Sequence, residues 1–179
     1  MWKSGRKCGK LYATVFKGTY RLRIDAKGRV PVPAPFRRSL PDARGPALVL
    51  TLLDQCVAAY APAEWQQLEA QLSALPSFSR PVKALARLLS SRAADCRLDG
   101  QGRILLPPML RKAAGLGREA VVVGVLNRFE VWDPERWERF VGDSERLLED
   151  ASLDVAWPPP AAAPRAAHEP GHPQAKPKR

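Results

Sequence analysis

Two Asp–Arg pairs of identical spacing are the residues of this chain best suited to chemistry: Asp25 with Arg29, and Asp99 with Arg103. In each pair the carboxylate can accept hydrogen bonds from its turn or bind the guanidinium, which would hold the loop in one shape. A guanidinium held in this way suits bidentate recognition of a phosphate or a guanine base. For one isolated pair, simple stabilisation of the turn is the stronger alternative. The duplication of the pair in matching contexts favours the functional interpretation.

The surroundings of each pair predict a turn between two strands. Gly28 and Gly102 directly precede the arginines, and we expect both glycines to adopt a positive φ. Before the first turn, arginines alternate with apolar residues, as in a strand with one buried and one basic face. The turn-stabilising residues are therefore Asp25, Gly28, Asp99 and Gly102. The residues predicted to contact such a phosphate or base are Arg29 and Lys27, with Arg21 and Arg23 in support and Arg103 as the equivalent of Arg29. The second copy has Gln101 in place of Lys27, so the first copy carries more weight.

Other candidate sites are weak. His168-Glu169-x-x-His172 contains metal-ligand types, but an intervening Pro-Gly prevents a helical arrangement, so we attribute it to chance composition. Cys8, Cys56 and Cys96 are odd in number and widely spaced, which argues against disulfides or zinc, and the last two are predicted to be small buried hydrophobes. Nucleophile-elbow and phosphate-loop motifs are absent, and histidine occurs only in the tail. We expect no catalysis, cofactor or metal.

An internal repeat shows that the two Asp–Arg pairs occupy equivalent positions in two similar segments of the chain. The segment 22–33 resembles 96–107, and Phe36-Arg37-Arg38 matches Leu110-Arg111-Lys112. Each copy continues with an apolar strand (47–53 and 120–126), a short strand (56–60 and 129–132) and an aromatic–Pro–Trp sequence. Helices are predicted for 63–75 and 82–92, and Asp133-Pro134 is a strong helix start. Pro31 lies within a strand, which is tolerated only at an edge or a bulge.

The repeat defines the predicted organisation. Module 1 spans 18–64, module 2 spans 93–136, and a C-terminal helix spans 137–154. The Pro-rich tail 157–179 is predicted to be disordered. Residues 1–14 are predicted to be disordered and have two interpretations: a mis-assigned start, with translation beginning at Val15, or a basic arm that binds the phosphate backbone.

The net charge is +11, from 29 basic and 18 acidic residues, which favours a polyanionic partner. Residues 1–14 carry four basic and no acidic residues, and 155–179 carry four basic and one acidic, so the central part retains +4. Charge alone therefore does not decide whether the partner is a nucleic acid. Apolar runs are too short to cross a bilayer and no secretory signal precedes them, so we expect a cytoplasmic protein.

The chain resembles the MraZ transcriptional regulators of the SpoVT/AbrB (swapped-hairpin) superfamily over about residues 15–154. The resemblance is carried by Phe16–Tyr20, Asp25–Val30, Ala59–Trp65, Leu98–Pro107 and Val123–Asp133. It implies an α+β fold of two tandem AbrB-type, double-psi-like β modules, each followed by helix and packed as a pseudo-dimer. It further implies a nucleoid-associated repressor, assembled as a ring-shaped homo-oligomer, that binds double-stranded DNA at direct repeats upstream of the division and cell-wall gene cluster.

Two other classes stay open: an AbrB-type module that acts as a partner-binding, antitoxin-like protein, and an enzyme of unseen type. Small antitoxins normally have one such module, so the duplication argues against the first. Size favours assembly, because a half-module of about 45 residues is marginal alone. We also expect the hairpin 120–132 to leave an unpaired edge that a second copy covers.

Overall fold

The computed structural model describes residues 15–40, 48–76 and 79–150. Both predicted disordered segments, 1–14 and 157–179, lie outside these residues, as does the His168–His172 sequence. The elements in chain order are β1 (Phe16–Arg23), β2 (Arg29–Pro31), α1 (Ala34–Ser39), β3 (Leu48–Leu53), β4 (Cys56–Tyr60), α2 (Pro62–Ala74), α3 (Arg80–Ser91), β5 (Ala94–Cys96), β6 (Arg103–Leu105), α4 (Pro108–Ala113), β7 (Glu119–Leu126), β8 (Arg128–Trp132) and α5 (Pro134–Asp150). The described residues up to Gly142 form one compact unit, and those from Asp143 belong to a second unit.

The strands form a six-stranded antiparallel sheet in the order β1-β7-β8-β4-β3-β5, and a separate two-stranded ribbon of β2 and β6. Outer strands are exchanged between the repeats: β1 of the first pairs with β7 of the second, and β5 of the second pairs with β3 of the first. The register is equivalent on both sides, since Leu22 lies opposite Ala120 and Cys96 lies opposite Leu48. The protein is therefore an α+β fold of two interlocked repeats related by a pseudo-two-fold axis.

Apolar residues on both sides of the sheet explain its position between two layers. Leu48 and Leu50 of β3 face the main core, which also receives Val30 and Ile104 of the ribbon and one side chain from each short helix. Val49, from the same strand, faces the opposite side and packs with side chains of α2 and α3. The ribbon, α1 and α4 thus cover one face, while α2, α3 and the start of α5 cover the other.

Prolines and one aspartate lie at the helix starts, and the start predicted at Asp133-Pro134 is confirmed. Helices α1, α2, α3 and α4 each carry proline in their first two positions, where the missing N–H costs nothing. Asp133 caps α5, because its Oδ1 accepts a hydrogen bond from the Arg136 N–H at 3.2 Å. Cys56 and Cys96 are buried free thiols, which confirms the prediction for both. Among the described residues, no helix is long and apolar enough to cross a membrane.

The strand pairing contradicts one prediction and explains how a proline is tolerated in β2. The prediction that the hairpin 120–132 leaves an unpaired edge is wrong, because β1 and β4 flank β7 and β8 on both sides. The sheet instead ends at β1 and β5. Pro31 pairs with Arg103 in the two-stranded ribbon, so β2 is an edge strand and the missing N–H of Pro31 is tolerated there.

Candidate nucleic-acid interface

The two Asp–Arg turns have the same backbone geometry. The Asp25 N–H donates to the Arg29 carbonyl at 2.9 Å, and the Gly28 N–H donates to the Asp25 carbonyl at 2.9 Å. The equivalent bonds of the second turn join Asp99, Arg103 and Gly102, both at 2.8 Å. Gly28 has φ +82° and Gly102 has φ +72°, which confirms the predicted left-handed glycines.

Each aspartate stabilises its own turn with both carboxylate oxygens. Asp25 Oδ1 accepts from the N–H groups of Lys27 and Arg29, each at 2.9 Å, while Oδ2 accepts from Arg29 Nε at 2.7 Å. Asp99 makes the corresponding three bonds, with Arg103 Nε at 2.8 Å. The carboxylates therefore hold both the backbone of the turn and the orientation of the guanidinium.

The turns also hold each other across the repeats. Arg103 Nη1 lies 3.5 Å from Asp25 Oδ2, and Arg29 Nη1 lies 3.9 Å from Asp99 Oδ2. Pairing of β2 with β6 brings these four side chains together, which we call the Asp–Arg network. All four are between 23% and 31% exposed, so the network is open to solvent on one side.

The network keeps both carboxylates ionised. Hydrogen bonds from the Arg103 side chain lower the pKa of Asp99 from 3.8 to about 2. The pKa of Asp25 is also lowered, mainly because its carboxylate accepts the backbone N–H of Arg29. Charged carboxylates bind the guanidiniums throughout the physiological range, so the arginines stay in one place.

A second pair of arginines, not singled out from the sequence, covers the two turns. Arg37 of α1 lies over Gly102 and donates through Nη1 to the Gln101 carbonyl at 3.3 Å. Arg111 of α4 lies beside Gly28. Each repeat thus sends an arginine to the turn of the other. The only available signal was the match of Arg37-Arg38 with Arg111-Lys112 in the repeat.

Arg21 and Arg23 are not brought to the network. Both alternate along β1 with Tyr20 and Leu22, which pack on the main core, so the two arginines lie on the opposite face of the sheet from the ribbon and the network. Arg21 Nη2 binds Glu138 Oε1 at 2.8 Å, and Arg23 Nη2 lies 3.9 Å from Glu119 Oε1. Lys27, in contrast, is exposed at the first turn.

A buried acidic residue lies elsewhere in the sheet. Glu130 is 7% exposed and accepts hydrogen bonds from Arg128 Nε at 2.8 Å and Trp132 Nε1 at 3.0 Å. Burial raises the pKa of the neighbouring Cys56 thiol, which keeps it protonated and unreactive. These partners satisfy the carboxylate, so the cluster stabilises the sheet rather than forming a site.

Comparison with known proteins agrees with the repeat. The family model described as "MraZ protein, putative antitoxin-like" matches residues 15–88 and again 89–154. The chain is 43% identical over 142 residues to a protein of Ligilactobacillus salivarius named "Transcriptional regulator MraZ", covering 79% of this chain and 96% of that one. A protein of the same name from Acetivibrio thermocellus is 41% identical over 143 residues, covering 79% and 97%. One from Thioalkalivibrio sulfidiphilus is 44% identical over 124 residues, covering 69% and 83%.

Proposed function

The chain belongs to the MraZ family of transcriptional regulators, and from this premise we propose that it binds direct DNA repeats upstream of the division and cell-wall gene cluster and represses transcription there. Membership of the family makes it a DNA-binding regulator of transcription. The target sites and the direction of regulation are the proposal. A protein acting on such sites works at the nucleoid, in the cytoplasm.

The Asp–Arg network is the observation that carries this proposal. A guanidinium has five N–H donors in a planar fork. Arg29 and Arg103 direct some of these donors to the carboxylates, and the rest are available at the partly exposed rim of the network. Because the carboxylates have already oriented each fork, little side-chain entropy is lost when it binds a guanine edge or a phosphate.

The two turns contribute unequally. Lys27 adds an exposed cation to the first turn, whereas Gln101 occupies the equivalent position in the second. We therefore assign the main contacts to Arg29 and Lys27, with Arg103 as the second anchor. Arg21 and Arg23, which lie on the other face of the sheet, support binding through long-range positive charge rather than through base contacts.

We further propose that the protein assembles into a ring of identical copies. The outer strand β1 offers eight residues of sheet edge to a neighbour. Large apolar side chains such as Leu88 of α3 and Phe140 of α5 are exposed in the single chain, and a neighbouring copy would cover such surfaces. A closed head-to-tail assembly would present Arg29 at regular intervals and match it to repeated sites.

Binding to the DNA upstream of the protein's own gene cluster tests the proposal. Fluorescence anisotropy with duplexes that carry one or several direct repeats should give much tighter binding to several repeats, because the contacts combine through effective concentration. A reporter driven by the same region should rise when the gene is deleted. Equal affinity for the upstream and a scrambled duplex would refute the function, and a monomer in sedimentation at micromolar concentration would refute the assembly.

A further inference from the structure

A basic pocket beside the first turn is built from both repeats. Its volume is about 220 Å³, and its charged lining consists of Lys27 from the first repeat and Arg111 and Lys112 from the second. Apolar residues form the remaining wall: Leu106, Pro108 and Leu116. The lining, which lies entirely in the described part of the chain, contains no acidic side chain. The pocket is therefore suited to an anion.

Arg111 is fixed with one nitrogen directed toward this pocket. Its Nε donates to the Leu116 carbonyl at 3.2 Å, and its Nη2 donates to the Gly117 carbonyl at 3.1 Å. Within the described ranges Nη1 makes no hydrogen bond, and it lies 3.4 Å from the point that a Cβ on Gly28 would occupy. Two backbone carbonyls thus orient the guanidinium before any ligand arrives, which lowers the entropy cost of binding.

The second turn is arranged differently. There, Arg37 lies directly over Gly102 and would collide with any side chain at that position, and its Nη1 is already used by the Gln101 carbonyl. The lysine of the first turn is also absent, because the second turn has Gln101. The two turns therefore differ both in charge and in how closely the neighbouring arginine covers them.

We propose that this pocket binds one phosphodiester of the bound DNA, with Arg111 Nη1 and the ammonium groups of Lys27 and Lys112 as its ligands. The proposal rests on the proposed DNA-binding function and adds a phosphate-binding site on α4 of the second repeat. The apolar wall reduces solvent screening of the partly buried Arg111. The contact positions the first turn on the duplex without reading sequence.

Lys112→Ala tests the site, with Arg38→Ala as the matched control. The two residues are equivalent in the repeat, both are exposed, and each substitution removes one positive charge. Affinity is measured over a salt series for the upstream duplex and for a scrambled duplex of equal length. The slope of log affinity against log salt is negative, and loss of one phosphate contact makes it less steep by about 0.9. The ratio of wild-type to variant affinity therefore changes about 3.5-fold between roughly 50 and 200 mM salt. We expect this change for Lys112→Ala on both duplexes, with unchanged discrimination between them, and a smaller change for Arg38→Ala.

Arg111→Gln provides a second variant in which the pocket loses its fixed donor, and thermal unfolding shows whether it stays folded. If folded Arg111→Gln and Lys112→Ala bind both duplexes with wild-type affinity and slope, the inference is overturned while the proposed function stands. Equal losses for Lys112→Ala and Arg38→Ala would also overturn it, because charge alone would then explain the effect. If inorganic phosphate stabilises the wild type but the variants bind DNA normally, the pocket holds a free anion and not DNA. Failure of the wild type to prefer the upstream duplex refutes the proposed function instead.

Discussion

Arg29→Ala distinguishes a DNA contact from a purely structural role for the Asp–Arg network. The substitution removes the 2.7 Å bond from Arg29 Nε to Asp25 Oδ2 and the longer pairing with Asp99. Single substitutions usually cost at most about 3 kcal/mol of unfolding free energy. Even from a low starting stability of about 5 kcal/mol, roughly 2 kcal/mol remains, which keeps about 97% of the molecules folded. A purely structural role therefore predicts almost unchanged affinity in a correctly folded variant.

A contact predicts a much larger effect. A bidentate arginine contact contributes about 1–3 kcal/mol, so Arg29→Ala should weaken binding to the upstream duplex roughly fivefold to hundredfold. Asp25→Asn retains the guanidinium and should weaken binding less. Arg87→Ala removes the same charge from an exposed position of α3, on the opposite side of the sheet, and should reduce affinity far less than Arg29→Ala, because only long-range charge is lost. Anisotropy measures the affinities, and urea unfolding measures the stabilities. Unchanged affinity for a folded Arg29→Ala, or a larger loss for Asp25→Asn, would refute the assignment.

Three further predictions concern stability and are measured by urea unfolding. The pKa of Asp99 is about 2 in the folded protein and 3.8 without its partners, so its contribution to the free energy of unfolding is present above about pH 4 and declines as the pH falls toward 2. Asp99→Asn should remove this part of the decline in stability, and an unaltered pH profile would contradict the prediction. Glu130→Gln should cost about 1–3 kcal/mol, since it weakens a buried acceptor of Arg128 and Trp132, without changing DNA affinity. Gly102→Ala should lower the free energy of unfolding more than Gly28→Ala. Both place alanine in a left-handed backbone conformation, which costs about 1–2 kcal/mol, but only Gly102→Ala also displaces Arg37. Equal losses would show that the packing of Arg37 on Gly102 is unimportant.

The local features of the fold could be read from the sequence because they depend on neighbouring residues. Glycine at a fixed place in each turn, proline at helix starts and alternation along β1 all act within a few positions. The spacing of Asp25 and Arg29 likewise allowed the prediction that the carboxylate would hold its turn, as the hydrogen bonds show. The repeat then extended each local prediction to the second copy.

The long-range features could not be read in the same way. Alternation shows that a strand has a buried face but does not select its partner, so the exchange of β1 and β5 was not evident from the pattern. This is why the hairpin 120–132 was wrongly expected at an edge. The covering of Gly102 by Arg37 depends on the same exchange, because only interlocked repeats bring α1 of one copy to the turn of the other.

The fusion of two modules in one chain relates the structure to the kind of DNA site proposed. In a dimer of identical chains every residue occurs twice around a true two-fold axis, and such proteins bind palindromic sites. Here the axis is only approximate, because the first turn contains Lys27, whereas the second contains Gln101 and is covered closely by Arg37. A protein with two unlike turns has a direction on the duplex. Copies joined head to tail would all point the same way, and the sites that fit them are direct repeats.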